Sequence, residues 1–292
     1  MTSFERTGAA YLLDKRSGIT SRKAAGEVAA SWGYGKYGHA GTLDPDATGL
    51  LVVLLGRATR LSRFLTGFSK RYVFSLVPGI ITDTDDVSGT VLERKPVEVV
   101  HRRALLKVLE RFTGTHAQKV PSFSAVRIDG ERAYEIARKG RKPNTPRRKV
   151  RTVDWKLEDL PEGEQLREKG IRLSVTVSSG TYVRALARDI GRELGTGGAA
   201  ASIRRITVGD FKVDEASSDP GSRSSLLSMA EIMRSYQNIV LEEEQRRTVV
   251  HGGAVQSEFE GNLVLLDSEG KFVAVARGDG ELLKPFCVLG EV

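Results

Sequence analysis

The segment that most restricts what this chain can become is GLLVVLLG, residues 49–56, six aliphatic side chains in a row between two glycines. At that length an unbroken apolar run fits a buried strand better than a helix. The fold must therefore provide a sheet to hold it. Directly before it stands LDPDAT, in which Pro45 pushes Asp44 out of the helical region and into an extended backbone. Spacing leaves two readings open there. The segment is a plain turn capped by Asp44 or Asp46, or it presents an aspartate on a stiff support.

Other segments supply partners for the strand. RYVFSLVPG reads as a strand starting at Tyr72, and IRLSVTV alternates strictly at Ile171, Leu173, Val175 and Val177. TSRKAAGEVAASWG reads as a helix capped by Thr20 or Ser21, with Ala25, Val28 and Trp32 inward and Gly33 at its end. RATRLSRFLTGF has helical spacing at Ala58, Leu61, Leu65 and Phe68. HRRALLKVLERF puts Leu105, Val108, Leu109 and Phe112 on one face, and ERAYEIARKG is a short helix stopped by Gly140. No regular strand–helix–strand rhythm appears, so the fold class is α+β with a mixed, mainly antiparallel central sheet flanked by helices. A Ser/Pro/Gly-rich connector spans 214–228. Beyond it short apolar runs alternate with the turn signals DSEG and GDG, which describes a small C-terminal β-domain. The expected division is 1–236 and 237–292.

The helix VRALARDIGRELG raises a second question. Val183, Leu186, Ala187, Ile190 and Leu194 form its core stripe, with Arg184 at the edge in the first turn. A cation there opposes the helix dipole. Either Arg184 snorkels over its own helix, or a carboxylate elsewhere compensates it.

The 292 residues carry a formal charge of +8, which favours a polyanionic partner. The charge is concentrated: Arg127 to Arg151 holds ten Lys/Arg against three acids. One reading is a solvated face; the other is a segment that orders on phosphates. One cysteine excludes a disulfide framework, and the four histidines lack partners at ligand spacing. Phosphate-loop, dinucleotide and serine-nucleophile motifs are missing. The expectation is thus a cytoplasmic protein with no cofactor, no metal and no membrane span, whose chemistry would run on a carboxylate.

GHAGTLDPDATGLLVVLLG resembles the catalytic motif of the bacterial tRNA pseudouridine-55 synthases, the TruB family. LLDKRSGITS, KRYVF, QKVPSFSAVRIDGERAYEIARKG and VSSGTYVRALARDIGRELGTGGAAASIRRITVGDF resemble its other motifs, in family order across residues 12–211. The resemblance implies the pseudouridine synthase fold and conversion of uridine 55 in the T-arm of tRNA, without cofactor or obligatory protein partner. The target base must leave its stack to be reached. Asp44 matches the catalytic aspartate, Tyr72 the tyrosine that packs on the flipped base, and Arg184 the arginine that pairs with the aspartate. His39 matches the residue that fills the space left by the base. Tyr182 and Ile203 match residues lining the nucleotide pocket, and Lys15 a basic residue behind it. Residues 124–152 match the insertion that clamps RNA, and 237–292 the small PUA-like RNA-binding β-domain. Arg16 replaces the usual proline, a change expected to loosen the Lys15 loop, and Ile203 stands where leucine is frequent. Two other readings compete: a catalytically silent tRNA chaperone, and a synthase guided by a separate RNA–protein scaffold.

Overall fold

The computed structural model describes residues 8–97, 99–161 and 169–290. The chain divides into two compact units. One comprises Met1–Pro45, Gly49–Thr66 and Gly209–Val292, the other Asp46–Thr48 and Gly67–Val208.

In the first unit, strand β1 (Gly8–Lys15) leads into helix α1 (Ser21–Ser31), followed by the short strand β2 (Tyr37–His39) and by β3 (Thr48–Gly56). β3 is the expected buried strand, and Leu50 to Leu55 are wholly inaccessible to solvent. β1 lies antiparallel to it, from Gly8 opposite Gly56 to Lys15 opposite Gly49, and β2 pairs with it as well. Thr20 caps α1 by accepting from the Lys23 amide, while Ala25 and Val28 point into the core. Trp32 lies just past the helix end and is half-buried; its indole N–H donates to the Pro220 carbonyl. Residues 57–61 form a 3-10 turn that runs into α2 (Ser62–Thr66).

The second unit begins with β4 (Lys70–Pro78), two residues earlier than the sequence suggested. Lys70 pairs with Val177 and Val208 and buries its stem while its ammonium reaches the Phe68 carbonyl. The hairpin β5 (Ile80–Thr82) and β6 (Val91–Arg94) precedes α3 (Arg102–Phe112), whose inward face is the predicted Leu105, Val108, Leu109 and Phe112. Then come β7 (Gly114–Lys119), the two-residue strands β8 (Arg127–Ile128) and β9 (Glu131–Arg132), and α4 (Ala133–Arg138). The long β10 (Arg147–Asp159), β11 (Ile171–Val177), α5 (Val183–Glu193) and β12 (Gly198–Val208) complete the unit. Its main strands run antiparallel in the order β12, β4, β11, β10, β7.

The chain then returns to the first unit with β13 (Phe211–Lys212). The connector is more structured than its composition implied, because β14 (Leu226–Leu227) pairs with Tyr11 and Ala10 of β1. Helix α6 (Met229–Ile232) follows, then β15 (Asn238–Val240), α7 (Glu243–Val250), β16 (Val255–Gln256), β17 (Glu260–Leu266), β18 (Phe272–Asp279) and β19 (Leu282–Val288). These five strands form the C-terminal β-sheet, ordered β15, β17, β18, β19, β16, with Leu263, Leu265, Val273 and Leu283 in its core. The α+β class read from the sequence, with mainly antiparallel strands and a C-terminal β-domain, is the one observed.

Candidate active site

Lys15, His39 and Asp44 belong to the first unit; Tyr72, Tyr182, Arg184 and Ile203 belong to the second. Asp44 is partly buried in the loop ahead of β3. That loop is fixed on both sides of the carboxylate. On one side the Ser21 hydroxyl, buried at the start of α1, donates to the Leu43 carbonyl at 2.9 Å and accepts from the Leu43 amide at 2.8 Å. On the other, the Pro45 carbonyl accepts from the Lys15 ammonium at 2.9 Å and from the Gly18 amide at 3.1 Å.

Lys15 is only 1% exposed, and its ammonium also donates to the carbonyls of Arg16 and Ile19 at 2.8 and 3.0 Å. A buried ammonium is tolerated only where its donors are met, and three carbonyls meet them. At Arg16, where a looser loop was expected, the guanidinium forms a two-pronged pair with Glu27 of α1, both contacts at 3.1 Å. His39 closes β2 opposite Val53 and is half-buried.

In the second unit, Tyr72 faces Val175 across one strand boundary and Arg205 across the other. The ring is 7% exposed, and its hydroxyl lies 3.4 Å from an Arg205 guanidinium nitrogen. Arg205 has no exposed surface at all. A guanidinium has no acceptor, so this contact directs the Tyr72 O–H hydrogen away from Arg205. Burial, with the Arg205 charge adding to it, lowers the nearby Lys70 ammonium to about 8. Ile203 is 9% exposed and follows Ser202, whose φ of 49° belongs to the irregular middle of β12.

Tyr182 is the residue before α5 and caps it without its side chain. Its backbone is held instead by the buried Gln118 amide, which accepts from the Tyr182 N–H at 2.9 Å and donates to its carbonyl at 3.1 Å. Arg184 is 5% exposed and does not snorkel. It donates to the Thr84 carbonyl at 2.6 Å and the Phe123 carbonyl at 3.0 Å, and its Nε lies 3.5 Å from the Asp86 carboxylate. Asp86 is thus a carboxylate that offsets a cation at the unfavourable end of a helix. Gln118 and Arg205 lay within the quoted motifs without an assigned role, Ser21 was named only as a possible helix cap, and Asp86 lay outside those motifs; burial and hydrogen bonding single them out. Among the described residues, no three His, Cys, Asp or Glu side chains gather as a metal site, and no helix is long and apolar enough to cross a membrane.

Residues 30–183 match the family described as TruB family pseudouridylate synthase (N terminal domain). The chain is 37% identical over 285 residues to tRNA pseudouridine synthase B of Aquifex aeolicus, covering 94% of this chain and 97% of the relative. It is 35% identical over 286 residues to the same-named protein of Syntrophobacter fumaroxidans, covering 93% and 90%. For Mycobacterium tuberculosis the values are 34% over 283 residues, 95% and 94%. Among solved structures, an H/ACA RNP bound to a substrate RNA containing 2'-deoxyuridine matches with a TM-score of 0.70 at 18% identity, over 97% of this chain and 85% of that one. At that identity the likeness concerns the fold alone, and it is the pseudouridine synthase fold. On the family match and on relatives that align over nearly its whole length, the chain belongs to the TruB family of pseudouridylate synthases and is an enzyme that isomerises uridine to pseudouridine.

Proposed function

We propose that the enzyme converts uridine 55 in the T-loop of tRNA to pseudouridine, acting on bare tRNA without a protein partner. The reaction breaks the N1–C1' glycosidic bond, turns the uracil and joins C5 to C1'. C5 gives up a proton and N1 gains one, so composition is unchanged and no oxidant or energy donor is needed. The base is flipped out of its stack first. Asp44 is the nucleophile. Arg184 is the cation that serves the catalytic aspartate, because a nearby positive charge favours the ionised form that a nucleophile requires. Tyr72 packs on the extruded base, Tyr182 and Ile203 line its pocket, His39 fills the gap in the loop, and Lys15 backs the Asp44 segment.

Residues 1–236 form the catalytic domain in this reading, with the basic 124–152 stretch gripping the RNA backbone. Residues 237–292 form a PUA-like RNA-binding domain. A tRNA substrate argues for action in the cytoplasm. The observation that carries the reading is the pinned loop: Ser21 and Lys15 fix the residues on either side of Asp44, as a preorganised nucleophile requires.

Asp44→Asn keeps the shape of the side chain and removes its nucleophilic charge. The variant is expected to bind a T-arm stem-loop with near-normal affinity and to form no product. Near-normal conversion would remove Asp44 from the mechanism. Chemical mapping of pseudouridine in whole tRNA treated with the purified enzyme tests the position: a modified base elsewhere, or none without added protein, would overturn the T-loop assignment or the independence from partners.

A further inference from the structure

Helix α5 carries two arginines one turn apart, Arg184 and Arg188, and residues four apart share a helix face. Both reach the same turn, residues 83–90 between β5 and β6. Arg184 meets the Thr84 carbonyl and the Asp86 carboxylate. Arg188 meets the carboxylate next door: its Nη1 is 2.7 Å from Asp85 Oδ2, with the two side chains 23% and 12% exposed. Arg188 is itself held by Asp189 at 3.0 Å and by the Lys119 carbonyl at 2.9 Å.

The turn is tightly specified. Asp85 adopts φ 63°, the left-handed region that L-residues avoid and that aspartate and asparagine tolerate best. The Asp85 carbonyl accepts from the Ala200 amide at 2.9 Å, and the Val87 amide donates to the Ala200 carbonyl at 2.9 Å. Asp86 divides its oxygens. Oδ1 accepts from the Ser88 amide, the Ser88 hydroxyl and the Thr84 hydroxyl, whereas Oδ2 faces Arg184.

Two adjacent carboxylates near two cations can pair in more than one way. Without Arg188, the buried Asp85 charge would turn to the remaining cation, Arg184, and compete with Asp86 for it. We propose that the Asp85–Arg188 pair is a positioning device for Arg184: it occupies Asp85 and holds the turn so that Thr84 and Asp86 set the guanidinium. Neither residue touches substrate in this scheme. The inference rests on Arg184 being an active-site residue, as assigned above.

The test compares the full-length enzyme with Asp85→Asn, Arg188→Gln, the double variant and Asp44→Asn, measuring single-turnover rate, tRNA Kd and Tm for each. Asp85→Asn keeps volume and tolerance of the left-handed region, so the turn should still fold. We expect Arg188→Gln to slow the single-turnover step by at least about tenfold at unchanged Kd, the size of a contacting-pair coupling. Asp85→Asn should slow it less, and the double variant should be faster than Arg188→Gln alone, because the competing carboxylate is gone. A purely structural role predicts losses in Tm in the single variants and no rescue of the rate in the double variant. Rates within about twofold of the parent for both single variants, or no rescue in the double, overturn the proposal. Should Arg188→Gln fail to fold, the rate-against-Kd split of Asp85→Asn decides alone: an unchanged rate overturns the device. An active Asp44→Asn would instead sink the active-site assignment itself, whatever the other variants do.

Discussion

Lys15 donates to three backbone carbonyls and through them shapes the loop on which the proposed nucleophile stands. Replacing it with Met leaves three carbonyls short of a charged donor, at a cost of roughly 3 kcal/mol. Urea unfolding should show a lower midpoint at unchanged slope, with turnover falling more than RNA affinity. An unchanged midpoint would mean that water replaces the ammonium. Asp85 has a different signature. Burial pushes its carboxyl up from 3.8 to about 6, against the pull of Arg188 and Arg184. The folded state therefore holds this proton more tightly than the unfolded chain does. The group's contribution favours folding at and below about pH 4 and is lost as the pH rises through about 6. The stability of the parent minus that of Asp85→Asn should fall across that window and level off above pH 7; a constant difference would refute the assignment. The resemblance marked Lys15 as a basic residue behind the nucleotide pocket, but the partners of neither residue were legible in the sequence. Carbonyl acceptors leave no side-chain trace, and Arg188 lies 103 positions from Asp85. At Asp44 the proline signalled an extended backbone locally, but spacing left a turn and a site both open, and only the family resemblance singled the residue out.

The elements were easier to read than their attachments. α3 and β11 declare themselves by periodicity, because one face of each is buried and the pattern of apolar residues records it. The seat of α5 on β12 is recorded only as glycine. A Cβ built at Gly191 would stand 2.4 Å from the Gly197 carbonyl group and 2.5 Å from the Gly198 nitrogen, so helix and strand meet backbone to backbone. Gly191→Ala must push them apart and should cost about 1–3 kcal/mol, as overpacked sites do. Since Arg184 and Arg188 ride on the same helix, the single-turnover rate should fall with it. Thermal unfolding and rate measurements on this one variant check both. A stable, fully active Gly191→Ala would show that the helix can shift without consequence for the arginines.

The net charge of +8 belongs to the chain as a whole, but the structure gives part of it an arrangement. Arg147, Lys149 and Arg151 alternate along β10, all exposed, where strand geometry spaces them about 6.8 Å apart. If these side chains grip RNA phosphates, each replaced by Ala should weaken tRNA binding and reduce the slope of log K against log salt by about one. Equilibrium binding at several salt concentrations gives that slope; an unaltered value would assign the strand's charge to solubility. Composition predicted a polyanionic partner, but it could not indicate which of 45 basic residues face one, because that depends on strand register. The same dependence on register limits how the molecule can change in length. On α5 the two arginines are separated by four residues, about 6 Å of helix rise, and they engage neighbours in the chain, Asp86 and Asp85. The helix acts as a ruler laid against the turn. One residue inserted between Asp85 and Asp86 would put the second carboxylate out of step with its mark. This turn can therefore exchange side chains far more readily than it can gain or lose a residue.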